Sequence, residues 1–176
     1  MRNYYAFIAE KMKVRYRHIN EVDGTIAFDV VTSGLVIIED RVDSWFTESI
    51  KTGRVVEVGE ALNNTRYWYA SLPAGITLPD SDHFMFFTGY DLANAESLAN
   101  AGQAYTGVVC REYNGGVSKS HSIVEDHRDG ETGVTASHEL GHALNALHDS
   151  DVGCSDVNSY IMAASSNPIF DAALAQ

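Results

Sequence analysis

Three histidines late in the chain restrict its architecture more than any other feature: His138-Glu139-Leu140-Gly141-His142-Ala143-Leu144-Asn145-Ala146-Leu147-His148-Asp149. On a helix, residues four apart share a face one turn apart, so His138 and His142 can aim their imidazoles at one point. Glu139, rotated about 100° from His138, flanks that point without having to ligate anything there. A continued helix would carry His148 about 15 Å beyond His138 and onto another face. For His148 to join the pair, the chain must leave the helix between His142 and His148. Asn145 suits that break because asparagine tolerates the left-handed conformation that ends helices. Three neutral nitrogen donors beside one carboxylate are the ingredients of an open zinc site.

Zinc held by three imidazoles keeps its full charge and a position for water, whose pKa falls toward about 7. Glu139 beside it can take a proton as general base and return it to a leaving amine. These parts suit hydrolysis of an unactivated amide, and a peptide bond is the obvious substrate. A bare His-Glu-x-x-His arises by chance on surface helices. The third histidine, Asp149 after it and a methionine downstream are what argue against chance here.

With 176 residues and 45% hydrophobic residues, the chain fits one domain with a real core. A formal net charge of -12 argues against nucleic acid or an anionic membrane surface as the main partner. No apolar run approaches the roughly 18 residues of a membrane-spanning helix, and Met1-Arg2-Asn3-Tyr4-Tyr5 leads straight into an amphipathic segment rather than a signal peptide. The two cysteines, Cys110 and Cys154, permit a disulfide without requiring one.

Along the chain, residues 3–17 place Tyr4, Phe7, Ile8, Met12 and Tyr16 at helical spacing. Thr25 to Ile38, rich in Ile, Val and Phe and interrupted at Ser33-Gly34, reads as a strand with a bend or bulge. Trp45 and Phe46 are expected core contacts. A second helix is expected from about Val56 to Leu72, before Pro73. Strands are expected around Asp82 to Thr88, along Ala104 to Val109 and near His121 to Glu125, with a turn at Asn114-Gly115-Gly116. The motif helix should run from near Thr132 to near Asn145. This alternation implies an α/β (α+β) fold, one mixed sheet with helices packed against it.

At the histidine motif the chain resembles the metzincin metalloproteases, and Asp149 directly after the third histidine resembles the adamalysin/reprolysin branch, which includes snake-venom, tick salivary and ADAM-type proteases. Ser159-Tyr160-Ile161-Met162 is similar to the family's Met-turn, which implies Met162 beneath the histidines. The resemblance implies a zincin-like fold and one catalytic Zn2+ held by His138, His142 and His148, with Glu139 as the catalytic acid/base. Gly102 to Cys110 resembles the family's edge strand, so Ala104, Tyr105, Thr106 and Gly107 are expected to pair with extended substrate. Asn167-Pro168-Ile169 would line the S1′ pocket. Polypeptide substrates outside the cell and secretion are implied by the same resemblance, while the oligomeric state is open.

Asn145 stands where most members carry Gly, a mild change at a positive-φ position. The first helix begins almost at residue 1, and the chain ends 14 residues past Met162. The chain is therefore expected to be a fragment of a single catalytic domain over 1–176, with 1–145 as the upper subdomain and 146–176 as a short lower one. Cys110 and Cys154 have separate partners in the resemblance. Asp82 matches a position that ligates structural Ca2+ in some reprolysins, although its companion ligands would come from the ends. His121 and His127 near Asp126 imitate a second zinc site but read as a solvated strand end, and His18 and His83 as surface or structural residues. Asn63-Asn64-Thr65 fits a glycosylation sequon. Asp149 is expected either to orient the zinc turn by a hydrogen bond or to act as a cap. Two other readings stand beside the protease: a catalytically weak or inactive reprolysin-like domain that binds proteins, and an intracellular peptidase of another metzincin branch.

Overall fold

The computed structural model describes residues 1–22, 25, 28–72, 78–95, 100–111, 118–154 and 160–164, with the backbone alone for 18–22. The elements are α1 (Arg2–Val22), α2 (Trp45–Glu48), β1 (Val55–Glu57), α3 (Val58–Ala70), β2 (Phe84–Thr88), β3 (Asp91–Ala93), β4 (Gly102–Ala104), β5 (His121–Glu125), α4 (Gly130–Ala143) and a 3₁₀ turn (Asp149–Val152). A three-stranded sheet has the order β2-β5-β4, with β2 parallel and β4 antiparallel to β5; β1 and β3 form a separate parallel pair.

Alternation along β5 explains the layering, because successive side chains leave opposite faces of a sheet. Val124 joins Ile8, Met12 and Tyr16 of α1 and Ala136 and Leu140 of α4 in one buried cluster. Ile123, one residue back, joins Val56, Val58, Ala61, Leu62 and Leu92 in the other. The sheet is thus sandwiched between α1 with α4 and α3. The α1 residues in the first cluster are spaced four apart, the stripe expected from the sequence. Phe46 packs edge-on against Trp68 and Phe86, at ring-centroid distances of 5.8 and 5.2 Å, while Trp45 is half-buried.

Helix α3 starts two residues later than expected because Val55–Glu57 pair with β3; the Glu57 carboxylate then accepts from the N–H groups of Gly59 and Glu60 as its cap. The sequon lies inside this helix. Thr65 is fully buried and donates its hydroxyl to the Leu62 carbonyl at 2.7 Å, so Asn63-Asn64-Thr65 is not displayed as an acceptor loop.

The expected strand over Thr25 to Ile38 is not formed in its described part. Phe28 and Val30 reach the first core cluster, but Val31, Leu35 and Val36 are 75%, 45% and 51% exposed, and residues 28–40 join no ladder among the described residues. Strand propensity reports fit to a paired, half-buried surface, and here no neighbour supplies one. The expected turn at Asn114-Gly115-Gly116 lies outside the described residues.

His121, expected at a solvated strand end, is instead internal, while His83 takes the structural one of its two expected places. His121 is fully buried against the rings of Tyr69, Phe84 and Phe86, with Nδ1 3.3 Å from the Thr65 hydroxyl. His83 is half-buried, its Nε2 2.8 Å from the Ser122 hydroxyl and its Nδ1 3.2 Å from that of Ser120. Burial chiefly, helped by the Arg66 charge, pushes His121 down to about 4; burial, helped by His121, pushes His83 down to about 3.

Helix α4 is capped by Asp129, whose carboxylate accepts from the Glu131 and Thr132 N–H groups, and the turn that closes it has Asn145 at φ 81°. There the Asn145 N–H bonds to the His142 carbonyl and the Ala146 N–H to that of Gly141, the paired bonds of a Schellman turn. Asn145→Gly should therefore keep full stability in urea denaturation, whereas Asn145→Val should lose about 1–2 kcal/mol to the positive φ. The buried histidines predict acid lability. Unfolded histidine protonates near 6.5 while these folded rings stay neutral, so unfolding takes up protons as pH falls below that value. Stability should decline by about 1.4 kcal/mol per pH unit and ring, down to about pH 4 for His121 and about pH 3 for His83. Urea titrations of His83→Gln should show that slope reduced by one proton; an unchanged slope would contradict a neutral His83 ring in the folded state.

Candidate metal centre and its cleft

His138 and His142 lie one turn apart on α4, and the chain that turns back at Asn145 brings His148 to them. Ring centroids are 4.7 Å apart for His138 and His142, 5.2 Å for His138 and His148, and 4.7 Å for His142 and His148. One nitrogen from each ring lies within 4.8 Å of the other two. Among the described residues, no other three His, Cys, Asp or Glu side chains converge so closely.

Two of the three rings are oriented by backbone carbonyls. His138 Nδ1 is 2.7 Å from the Ile161 carbonyl and His142 Nδ1 is 2.9 Å from that of Ala146. A carbonyl only accepts, so each Nδ1 carries the hydrogen and each Nε2 presents a lone pair. His148 has the Asp151 carboxylate 3.7 Å from its Nδ1. The Nε2 atoms of His142 and His148 stand 3.1 Å apart, close to the separation of about 3.3 Å that two nitrogens take up around tetrahedral zinc. Burial lowers the pKa of His138 to about 4 and also lowers that of His142, which keeps both rings neutral, as metal ligands must be. The donor set fits zinc.

Glu139 points from the same helix into the protein. It is 4% exposed, and its Oε2 has no hydrogen-bond partner among the described residues. Burial pushes its carboxyl group up to about 8; a divalent cation at the imidazoles would favour the carboxylate and draw the value back.

Met162 is buried, and its Sδ occupies the space where a Cβ on Gly141 would be. The turn bearing it is tied to the third histidine: the Asp149 N–H donates to the Met162 carbonyl at 3.0 Å. This link between the two turns is made by the Asp149 backbone. Its carboxylate is buried, with Oδ2 unpartnered among the described residues.

A cleft of about 700 Å³ runs past the imidazoles and Glu139. One wall is the chain from Asn100 to Thr106, with β4 at the open edge of the sheet; the other includes Tyr160, Ile161 and Ala163. The strand expected from Ala104 to Val109 is shorter and earlier. Only Ala104 of the four proposed edge residues lies in β4, Tyr105 follows it, and Thr106 and Gly107 turn away. The cause is visible in the hydrogen bonds. With Gly107 at φ 65°, its N–H donates to the His142 carbonyl, and the Val108 and Val109 N–H groups donate to that of Ala143. Arg15 and Asp151 also line the cleft, and neither carried a motif signal. Arg15 arrives from α1, 118 residues from its partner, the Gly133 carbonyl.

Residues set aside in the sequence lie elsewhere. His127 is paired with Glu125 at 3.4 Å, and Asp126 accepts from the hydroxyls of Tyr4 and Tyr5. Asp82 accepts from the Cys110 thiol at 3.4 Å. Cys110 and Cys154 are exposed and unbonded. Asn167-Pro168-Ile169 and the side chain of His18 lie outside the described residues.

Residues 47–173 match a reprolysin model described as Metallo-peptidase family M12. A disintegrin and metalloproteinase with thrombospondin motifs 4 from Mus musculus is 35% identical over 109 residues, 58% of this chain and 12% of that protein. The Rattus norvegicus protein of the same name is 35% identical over 111 residues, 59% of this chain and 16% of that one. The chain therefore spans a small part of the length of the curated relatives it matches. A crystal structure of archaemetzincin from Methanopyrus kandleri is 18% identical, with a TM-score of 0.48, covering 94% of this chain and 76% of that one. Because the family model takes in the greater part of the chain, including the histidine helix and the turn bearing Met162, the chain belongs to metallopeptidase family M12, a metzincin family of zinc-dependent peptidases.

Proposed function

We propose that the chain is the catalytic unit of a zinc-dependent endopeptidase acting on extracellular polypeptides. The observation that carries this reading is the convergence of three imidazoles, two of them oriented by backbone carbonyls, beside a buried carboxylic acid in an open cleft. The extracellular setting and secretion rest on the family resemblance. The unit is read as one domain over 1–176 with the cleft between an upper part, 1–145, and a lower part, 146–176.

His138, His142 and His148 would hold the metal. Zinc bound there would supply a Lewis acid able to polarise the scissile carbonyl and acidify the attacking water. Glu139 takes the proton from that water at a carboxylate oxygen and returns it to the amine that leaves. Its burial favours the protonated form that must be reached midway. Met162, wedged against Gly141 and bonded through its carbonyl to Asp149, acts as a Met-turn that holds the helix and the third histidine in register. Ala104, at the sheet edge, offers backbone to an extended substrate, with Tyr105 and Thr106 beside it. Gly107 serves less well in that role, because its N–H is already used by the His142 carbonyl.

Hydrolysis of a generic protein such as casein should be abolished by a chelator and restored by zinc. Glu139→Ala should lower kcat by about 10²–10⁴-fold while one zinc per chain still binds. Equal inertness of wild type and Glu139→Ala at full zinc loading would instead favour the protein-binding module. His148→Ala should lose stoichiometric zinc in a competition titration with a chromogenic chelator, and retained affinity would remove this histidine from the ligand set.

A further inference from the structure

Strand β4 meets helix α4 at Gly102. In the antiparallel register Gly102 pairs with Val124 and Ala104 with Ser122, so the two share a face, and Gln103 between them takes the other, toward Gly59 of α3. The face at Gly102 looks onto Glu139. A Cβ at position 102 would lie 2.9 Å from Glu139 Oε1, 3.0 Å from its Cγ and 3.0 Å from the Ile123 carbonyl oxygen. These distances are tighter than ordinary van der Waals contact, so a Cβ there would force the Glu139 side chain or the Ile123 carbonyl to shift. Glu139 is almost wholly buried, and its Oε2 has no hydrogen-bond partner among the described residues. Among the described residues no hydrogen bond holds that oxygen, and the backbone at Gly102 packs against the carboxyl group.

We propose that Gly102 is a positioning residue: its missing Cβ leaves the recess that seats the Glu139 carboxyl group and so determines where the base stands beside the three imidazoles. The proposal rests on the reading of Glu139 as the base. A side chain at position 102 would push the carboxyl group out of its seat without touching the metal ligands. A displacement of about 1 Å at a reacting group is enough to cost about 100-fold in rate.

The test compares the zinc-loaded 176-residue chain as wild type, Gly102→Ala, Glu139→Ala and the double variant. Gly102→Ala should lower the thermal midpoint by about 5 °C in wild type and leave it unchanged in the Glu139→Ala background, since removing the carboxyl group vacates the contested space. Its kcat should fall about 100-fold with KM hardly changed and one zinc still bound. An equal loss of midpoint in both backgrounds would place the clash on the Ile123 carbonyl and overturn the proposal. A raised KM with kcat retained would do so too, by making Gly102 a substrate contact. If wild type itself hydrolyses nothing, the thermal comparison still decides the seat, while the protease reading fails on its own.

Discussion

The structure depends on how the C-terminal end of α4 is closed. A helix leaves its last carbonyls without partners, and inside a protein each must find one. Here the Leu140, Gly141, His142 and Ala143 carbonyls are met by N–H groups from two directions. Leu144, Asn145 and Ala146 fold back on the first three, and Gly107, Val108 and Val109 reach across to His142 and Ala143. The same few bonds do two things. They turn the chain so that His148 faces His138 and His142, and they attach the segment leaving the sheet edge to the helix that bears the histidines. The cleft wall and the three converging histidines are therefore one hydrogen-bonded unit.

Around that unit the interior holds more polar groups than a simple core. Tyr16, buried on α1, donates its hydroxyl to the Ser137 carbonyl at 2.6 Å, and Arg15 donates to that of Gly133 at 3.0 Å. Tyr4 and Tyr5 both grip the Asp126 carboxylate at the approach to α4. The first helix thus fastens the histidine helix along its length by directional bonds as well as by the apolar stripe of Ile8, Met12 and Tyr16. Buried acids next to this scaffold, Glu139 and Asp149, each keep an oxygen unpartnered among the described residues. Such groups are costly in a core, and a cation held by the three neighbouring histidines would give them a physical reason to be there.

Much of the fold was legible because it depends on local periodicity. The i, i+4 stripe of α1, the apolar run His83 to Phe87 and the motif helix needed only the residues themselves. The misplacements have one cause. Thr25 to Ile38 has the composition of a strand, but its described part meets no partner strand; Ala104 to Val109 has it too, but its N–H groups serve α4. Val55–Glu57 became a strand at the start of an expected helix because β3 lies beside it. Hydrogen-bond partners distant in sequence decide these cases, and composition does not encode them.

Spacing in the sequence determined the donor set: two histidines one turn apart, a break at Asn145 and a third histidine soon after it, with a carboxylic acid alongside. Those are consequences of helix geometry and of the one residue type there that accepts a positive φ, so they hold in any context in which the helix forms. Tertiary structure decided what surrounds that set. It buried His121 and Thr65, placed Met162 against Gly141 and brought Arg15 into the cleft. It also set the backbone of Gly102 against Glu139, a contact that exists because β4 and α4 pack across a gap too narrow for a side chain.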